Sequence, residues 1–429
     1  MSRTQVALTP SWGRRIVGME GLRALAAVTV LIGHTKVHLA PGVDWGVFAV
    51  PAALGLKGLV LFFALSGFLL FRPFATALLT GGAAPDLRRY AVNRALRIFP
   101  VYIVIVLLVS LVLGLAYTSP QGATQAESGD MVGYMTDPWL VLINTTMLQT
   151  FFPFSMKTGL GVAWSLTVEL VFYVVMPLLA LLALRVQRRR SRDGMPAGRA
   201  FAFALAPVAA ILAIGIVGKA VKWALFRDIP PEQHFLAEWG GNWVAVFSRS
   251  FLANADLFAF GMVAAVVVAA FETGRLSHDL AFRFRAGALV VAVGATLATR
   301  VVPDSLEQTA FAAAYGALIL FVAMPARDAR PGLLARFLAL PPLEYMGRVS
   351  YSLYLWHIPV IWLVVRLGIA FPRTPAGLLA NVVLVLVISV AFSTVTYYLV
   401  ERPALRAKKR TDTRARAGDG RLLGAGDER

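Results

Sequence analysis

Polar positions are sparse along most of this chain, and the apolar ones come in long blocks that suit a helix crossing a bilayer. Runs of about 18 or more apolar residues, enough to cross about 30 Å of hydrocarbon, recur along nearly its whole length. They predict ten spans, at 17–39, 47–71, 98–117, 162–184, 200–220, 251–271, 286–300, 308–325, 349–370 and 377–400, the seventh being short. A further apolar stretch, Trp139 to Phe152, is too short to span comfortably and reads as interfacial or re-entrant, with an eleventh span left open there. The pattern predicts an all-α polytopic transmembrane bundle of about ten helices.

Composition agrees: 58% of residues are hydrophobic and 15% charged. The net charge of +18 raises the question of nucleic acid, and the distribution of the basic residues answers it. With the N-terminus inside, 30 Lys and Arg fall on inner segments and six on outer loops, the split of the positive-inside rule. Both termini are therefore expected in the cytoplasm, an even number of spans is favoured, and no nucleic-acid partner is needed. Residues 1–16 form a cytoplasmic segment, 17–403 the membrane domain, and 404–429 a basic tail expected to be disordered and to lie on anionic lipid. The first apolar segment is too long for a signal peptide and lacks a small-residue cleavage site. Cysteine is absent, which removes disulfides, thiolate metal sites and a Cys acyl-enzyme; five histidines without it suggest no metal site. There is no Gly-rich phosphate loop before a Lys, no His-Glu-x-x-His and no Gly-x-Ser-x-Gly.

What changes the picture is charge where lipid would penalise it. The first span, "EGLRALAAVTVLIGHTKVHL", carries Glu20, Arg23 and His34 on one helical face, with Arg23 and His34 roughly 16 Å apart along the axis. Such a stripe faces a protein interior or a wet cavity. The plainer alternatives are that Arg23 snorkels and pairs with Glu20, and that His34 is a satisfied interhelical histidine. Arg94 and Arg97 share a face at the inner mouth of the third span; they suit a phosphate clamp, or serve only the positive-inside rule. Glu169 lies inside the apolar fourth span, in its outer half like His34. A carboxylate on one imidazole nitrogen would make the other a better base, so a meeting of the two is expected as a hypothesis. Ser66, before Gly67, suits close helix packing better than nucleophilic attack, and His357 in the ninth span either bonds across helices or lines the cavity.

Taken in order, "GMEGLRALAAVTVLIGH", "LFFALSGFLL", "RALRIFP", "WSLTVELVFY", "GRVSYSLYLWHIPV" and "YYLVERPAL" resemble the integral-membrane acyltransferase family 3, which includes bacterial O-antigen and macrolide acyltransferases. The resemblance runs from Gly18 to about Pro403. It implies that Arg23 and His34 are an R-x10-H pair with His34 essential for transfer, that Arg94 and Arg97 are the cytoplasmic R-x-x-R pair, that Glu169 is the acid of "WS-x-x-x-E", and that His357 falls in a shared segment. Glu20 departs from the aspartate usual before "GLR". Some members carry a C-terminal hydrolase-like domain; this chain ends in a short tail and is expected to act alone or with a separate partner.

The reading that follows is O-acyl transfer, in a bacterial inner membrane, from cytoplasmic acyl-CoA, acetyl-CoA first, to a saccharide, glycolipid or lipid-linked acceptor reached from outside. Arg94 and Arg97 would hold donor phosphates. His34, oriented by Glu169, would take the acceptor proton. Arg23 and Glu20, with Ser66 and His357, would line the path. An acyl-histidine on His34 stays open. The rival from another class is a transporter or flippase of a lipid-linked saccharide, and a weaker third is a non-catalytic scaffold.

Overall fold

The structure, a computed structural model, describes residues 16–44, 57–119, 131–190 and 196–406. Among these residues the ten predicted spans are all helical: α1 (Met19–Leu39), α2 (Gly58–Thr80), α3 (Leu87–Leu107), α4 (Trp164–Arg190), α5 (Ala197–Phe226), α6 (Asp256–Glu272), α7 (His278–Ala298), α8 (Asp304–Ala323), α9 (Pro341–Arg366) and α10 (Pro375–Thr396). Eight are long and apolar enough to cross a membrane. The other two are α1, with its charged stripe, and the 17-residue α6. The chain is a multi-pass helical membrane protein.

Several boundaries differ from the apolar runs, because caps rather than hydropathy set where a helix starts. The Asp86 carboxylate accepts the Arg89 N–H at 3.1 Å, so α3 begins at Leu87 instead of 98 and the basic stretch through Arg97 is helix. Ser277 accepts the Leu280 N–H at 3.3 Å and starts α7 at His278 instead of 286. The expected start of the second span, 47–56, lies outside the described residues. The predicted tail from 407 and the segment before 16 lie outside them too. The apolar stretch near 139–152 holds a helix of only 8 residues, Pro138–Thr145, about 12 Å long, followed by two 3-10 turns. It does not span.

The centre of the bundle is α2, whose closest neighbour is α6. Their backbones touch: a Cβ at Gly261 would fall 1.8 Å from the Ala64 carbonyl oxygen, and one at Gly67 2.2 Å from that of Phe258. Small residues bring helices this close in lipid, where apolar burial alone gives no preference for a partner. Charged pairs tie the same helices. Arg72 grips Glu272 with two nitrogens, one at 2.9 Å. Asp256, fully buried, takes Lys219 at 2.5 Å and the Thr309 hydroxyl at 2.7 Å, joining α5, α6 and α8.

On the other flank α1 packs mainly on α9, then on α2 and α10, whereas α4 packs on α2 and α5. That arrangement puts α2 between α1 and α4, with consequences for the acid and the imidazole that those helices carry. Two π-turns interrupt the α pattern, Leu108–Leu113 after α3 and Tyr397–Glu401 after α10. The second rotates Glu401 inward, leaving it 1% exposed.

Candidate active site

A cavity holding about 710 Å³ of atom-free space, part of it open, runs between α1, α2, α3, α4 and α9. Arg23, Arg94 and Arg97 line it, with Ser66, Glu169 and Tyr351 among the polar groups farther along. Arg23 pairs with Glu20 one turn away, Nη1 to Oε1 3.3 Å, while still facing the cavity, so the pairing and the lining hold together. Among the described residues neither Arg94 nor Arg97 is held in a salt bridge; the Arg94 guanidinium stands 5.9 Å over the Tyr173 ring and its Nε is buried without a partner. Guanidiniums left unpaired in an enclosed space suit phosphate oxygens.

Glu169 does not reach His34. Its Oε1 accepts a short hydrogen bond from the Ser66 hydroxyl, because α4 presents Glu169 to α2 and α2 stands between α4 and α1. The expected orientation of His34 by Glu169 is therefore corrected. Ser66 lines the cavity, and its neighbour Gly67 supplies the close packing expected of the Ser-Gly pair.

His34 has other partners. Its Nδ1 is 3.1 Å from the Val30 carbonyl oxygen and 3.2 Å from Nε2 of His357, across the α1–α9 contact. A carbonyl only accepts, so Nδ1 carries the proton, and His357 Nε2 accepts a share of it. The proton of His357 then sits on Nδ1, which faces the Leu353 and Tyr354 carbonyls one turn back. His34 Nε2 is left with a free lone pair, the state of a general base.

The imidazoles lie about one turn beyond the cavity's far end. Tyr354 lines that end, three residues before His357, and its hydroxyl is 2.7 Å from Ser165 Oγ and 3.1 Å from the Val162 carbonyl. These groups form a hydroxyl septum between cavity and imidazoles. On the side away from the cavity His38 stacks on His34 (ring centroids 6.3 Å), and Trp362 adjoins His38 (5.2 Å).

Sequence reasoning missed Ser165, Tyr354, His38 and Glu401. Glu401 accepts from Ser352 at 3.0 Å and lies within electrostatic range of Arg97 and Arg23. Buried hydroxyls give no signal in an apolar pattern, and only the π-turn turns Glu401 inward. Among the described residues no cluster of three His, Asp or Glu side chains has the arrangement of a metal site.

A family model of the acyltransferase domain matches residues 16–398. The chain belongs to acyltransferase family 3. This member is 23% identical over 377 residues to a peptidoglycan O-acetyltransferase of Listeria monocytogenes, covering 83% of this chain and 51% of the relative. It is 23% identical over 407 residues to a Bacillus subtilis protein provisionally designated a peptidoglycan O-acetyltransferase, covering 91% and 55%. It also matches nodulation protein 10 of Rhizobium leguminosarum, 26% identical over 406 residues, 90% of this chain and 92% of the relative. The family 3 chain thus spans about half the length of the two peptidoglycan O-acetyltransferase relatives. No solved structure matches it.

Proposed function

We propose that this family 3 member is an O-acyltransferase of a bacterial inner membrane, moving an acyl group from cytoplasmic acyl-CoA, acetyl-CoA foremost, to a hydroxyl of a saccharide or lipid-linked acceptor on the outer side. The observation that carries the reading is an order along the bundle: guanidiniums without salt bridges among the described residues, a largely apolar cavity carrying Ser66 and Glu169, a hydroxyl pair at its end, then an imidazole with a free Nε2. The names of the peptidoglycan O-acetyltransferase relatives support a cell-envelope saccharide as acceptor.

In this mechanism Arg94 and Arg97 hold donor phosphates at the inner mouth, with Arg23 completing the positive rim. The acyl thioester extends past Ser66 and Glu169 toward the septum, which opens to let it pass. His34 Nε2 takes the acceptor hydroxyl proton as its oxygen attacks the thioester carbonyl. The C–S bond breaks, and the imidazolium returns the proton to the departing thiolate of CoA. His357 acts as a positioning residue: it shares the Nδ1–H of His34 and faces the imidazolium while that charge exists. Glu20 keeps Arg23 aligned.

The test is CoA release from acetyl-CoA and longer acyl-CoAs by the protein in lipid, with membrane glycans as acceptors, comparing wild type with His34→Ala. Acceptor-dependent release that falls by at least about 100-fold in the variant is expected, since general base catalysis contributes about 10²–10⁴. Release indifferent to His34 overturns the mechanism. No release with any donor from folded protein shifts the reading to transport.

A further inference from the structure

One cation on the outer side has no role in that mechanism. Lys157 sits in the loop that follows the two 3-10 turns, and its backbone takes φ 61°, a left-handed conformation that a non-glycine residue rarely adopts. The loop is fastened on both sides of it. Asn144 donates to Thr158 Oγ1 at 2.9 Å, Thr158 donates to the Ser155 carbonyl at 2.8 Å, and Gly159 exchanges backbone hydrogen bonds with Tyr117 at 2.8 and 3.0 Å. Tyr117 meets Trp362 edge-on at 5.9 Å, and Trp362 adjoins His38, so the loop is held over the outer side of the imidazole pair. Strain over-determined in this way is commonly kept where it aims a side chain.

The side chain is aimed at an aromatic face. Lys157 Nζ lies 3.9 Å from the centre of the Trp239 ring, and the Arg249 guanidinium lies against the same ring and 4.8 Å from that of Trp164. The nearby carboxylate, Glu238, is already taken by Lys222 at 2.6 Å and Arg249 at 3.0 Å. Among the described residues Lys157 forms no salt bridge. Two positive charges thus share one indole with a carboxylate committed to one of them, and the other lies within electrostatic range of His34 and His38. An ammonium on which Glu238 acts only from a distance, held as that carboxylate is by Lys222 and Arg249, suits an anion from outside the protein.

We propose that Lys157 and the Trp239 face form an acceptor subsite for an anionic group, a carboxylate or phosphate on the saccharide, which fixes the reacting hydroxyl over His34. The inference rests on the acyltransferase reading for its last step, and on the loop geometry for the anion. Burial, then the Arg249 charge, brings the Lys157 ammonium down to about 7, with Glu238 opposing. The groups that face it are Arg249 and Glu238 from the outer segments and His34 and His38 from α1. Because the ammonium is the form that attracts an anion, binding is strongest below pH 7 and weakens above it.

The experiment is flow dialysis on the full chain in lipid nanodiscs with three labelled probes: a neutral cello-oligosaccharide, its C6-carboxylate counterpart and its 6-phosphate counterpart. An anionic probe is expected to bind at least about tenfold tighter than the neutral one, as for a hydrogen bond to a charged group. Lys157→Gln abolishes that preference and Lys157→Arg retains it; the preferred anion shows in which arm responds. Equal affinity for all three probes, or a preference that survives Lys157→Gln in folded protein, overturns the subsite. Binding does not require turnover, so the two readings separate: Lys157-dependent binding without CoA release keeps the subsite and removes the acyltransferase reading.

Discussion

Replacing His357 by Phe tests the imidazole pair without emptying the core. His357 is 1% exposed, so an alanine would leave a cavity and mix packing with chemistry, whereas phenylalanine fills the ring's place and removes both ring nitrogens, Nε2 facing His34 and Nδ1–H facing the carbonyls of its own helix. His34 keeps the Val30 carbonyl as a partner for Nδ1–H, so its tautomer survives and Nε2 stays free. What His34 loses is one shared hydrogen bond at 3.2 Å and the alignment it gives, about 1–2 kcal/mol. At about 1.4 kcal/mol per decade that lowers kcat about 5- to 30-fold. Glutamine at 357 places an amide oxygen near the former Nε2 and should restore kcat to within about threefold. The assay is steady-state CoA release at saturating donor and acceptor, with thermal unfolding as the control for folding. Because the pair acts on the base and not on the inner mouth, KM for acyl-CoA should hold within about twofold. A His357→Phe protein with wild-type kcat, or a glutamine variant no better than phenylalanine, refutes the assignment.

Arg94→Ala and Arg97→Ala should each weaken donor binding about tenfold or more, the worth of a hydrogen bond to a charged group, with acceptor KM unchanged. Competition by free CoA measures it, and undiminished affinity would leave the two arginines to topology alone. Gly261→Ala forces α2 and α6 apart, since its Cβ would meet the Ala64 carbonyl at 1.8 Å. Overpacking of this kind costs about 1–3 kcal/mol, seen as a lower unfolding midpoint in detergent. Gly294→Ala, where nothing lies within 4 Å, is the neutral control. An unchanged midpoint for Gly261→Ala would contradict the backbone contact.

The helices were legible from the chain because lipid admits few ways to satisfy a backbone, and apolar runs of spanning length mark them. The candidate residues stood out for a related reason: Arg23, His34 and Glu169 lie where a charge is costly. Partnership was not. Equal depth suggested that Glu169 would meet His34, but depth says nothing of azimuth, and α2 comes between them. His357 was found as a residue and not as the partner, since an i, i+4 pattern reports a helix's own face and never its neighbour's. Lys157 looked like one more outer-loop charge until the left-handed turn and the Trp239 face gave it a direction.

The septum of Tyr354, Ser165 and Val162 has a meaning for the cell apart from chemistry. A molecule with an arginine-rubbed vestibule on one side and imidazoles on the other is, in outline, a leak. Each unit charge that slipped through would dissipate about 2.3 kcal/mol per 100 mV of membrane potential. Two hydroxyls 2.7 Å apart on different helices, with a carbonyl behind them, stand on that line at the end of the cavity. On the proposed mechanism the same contact would part for an acyl group and hold against ions, so cargo and current would meet at a single pair of side chains.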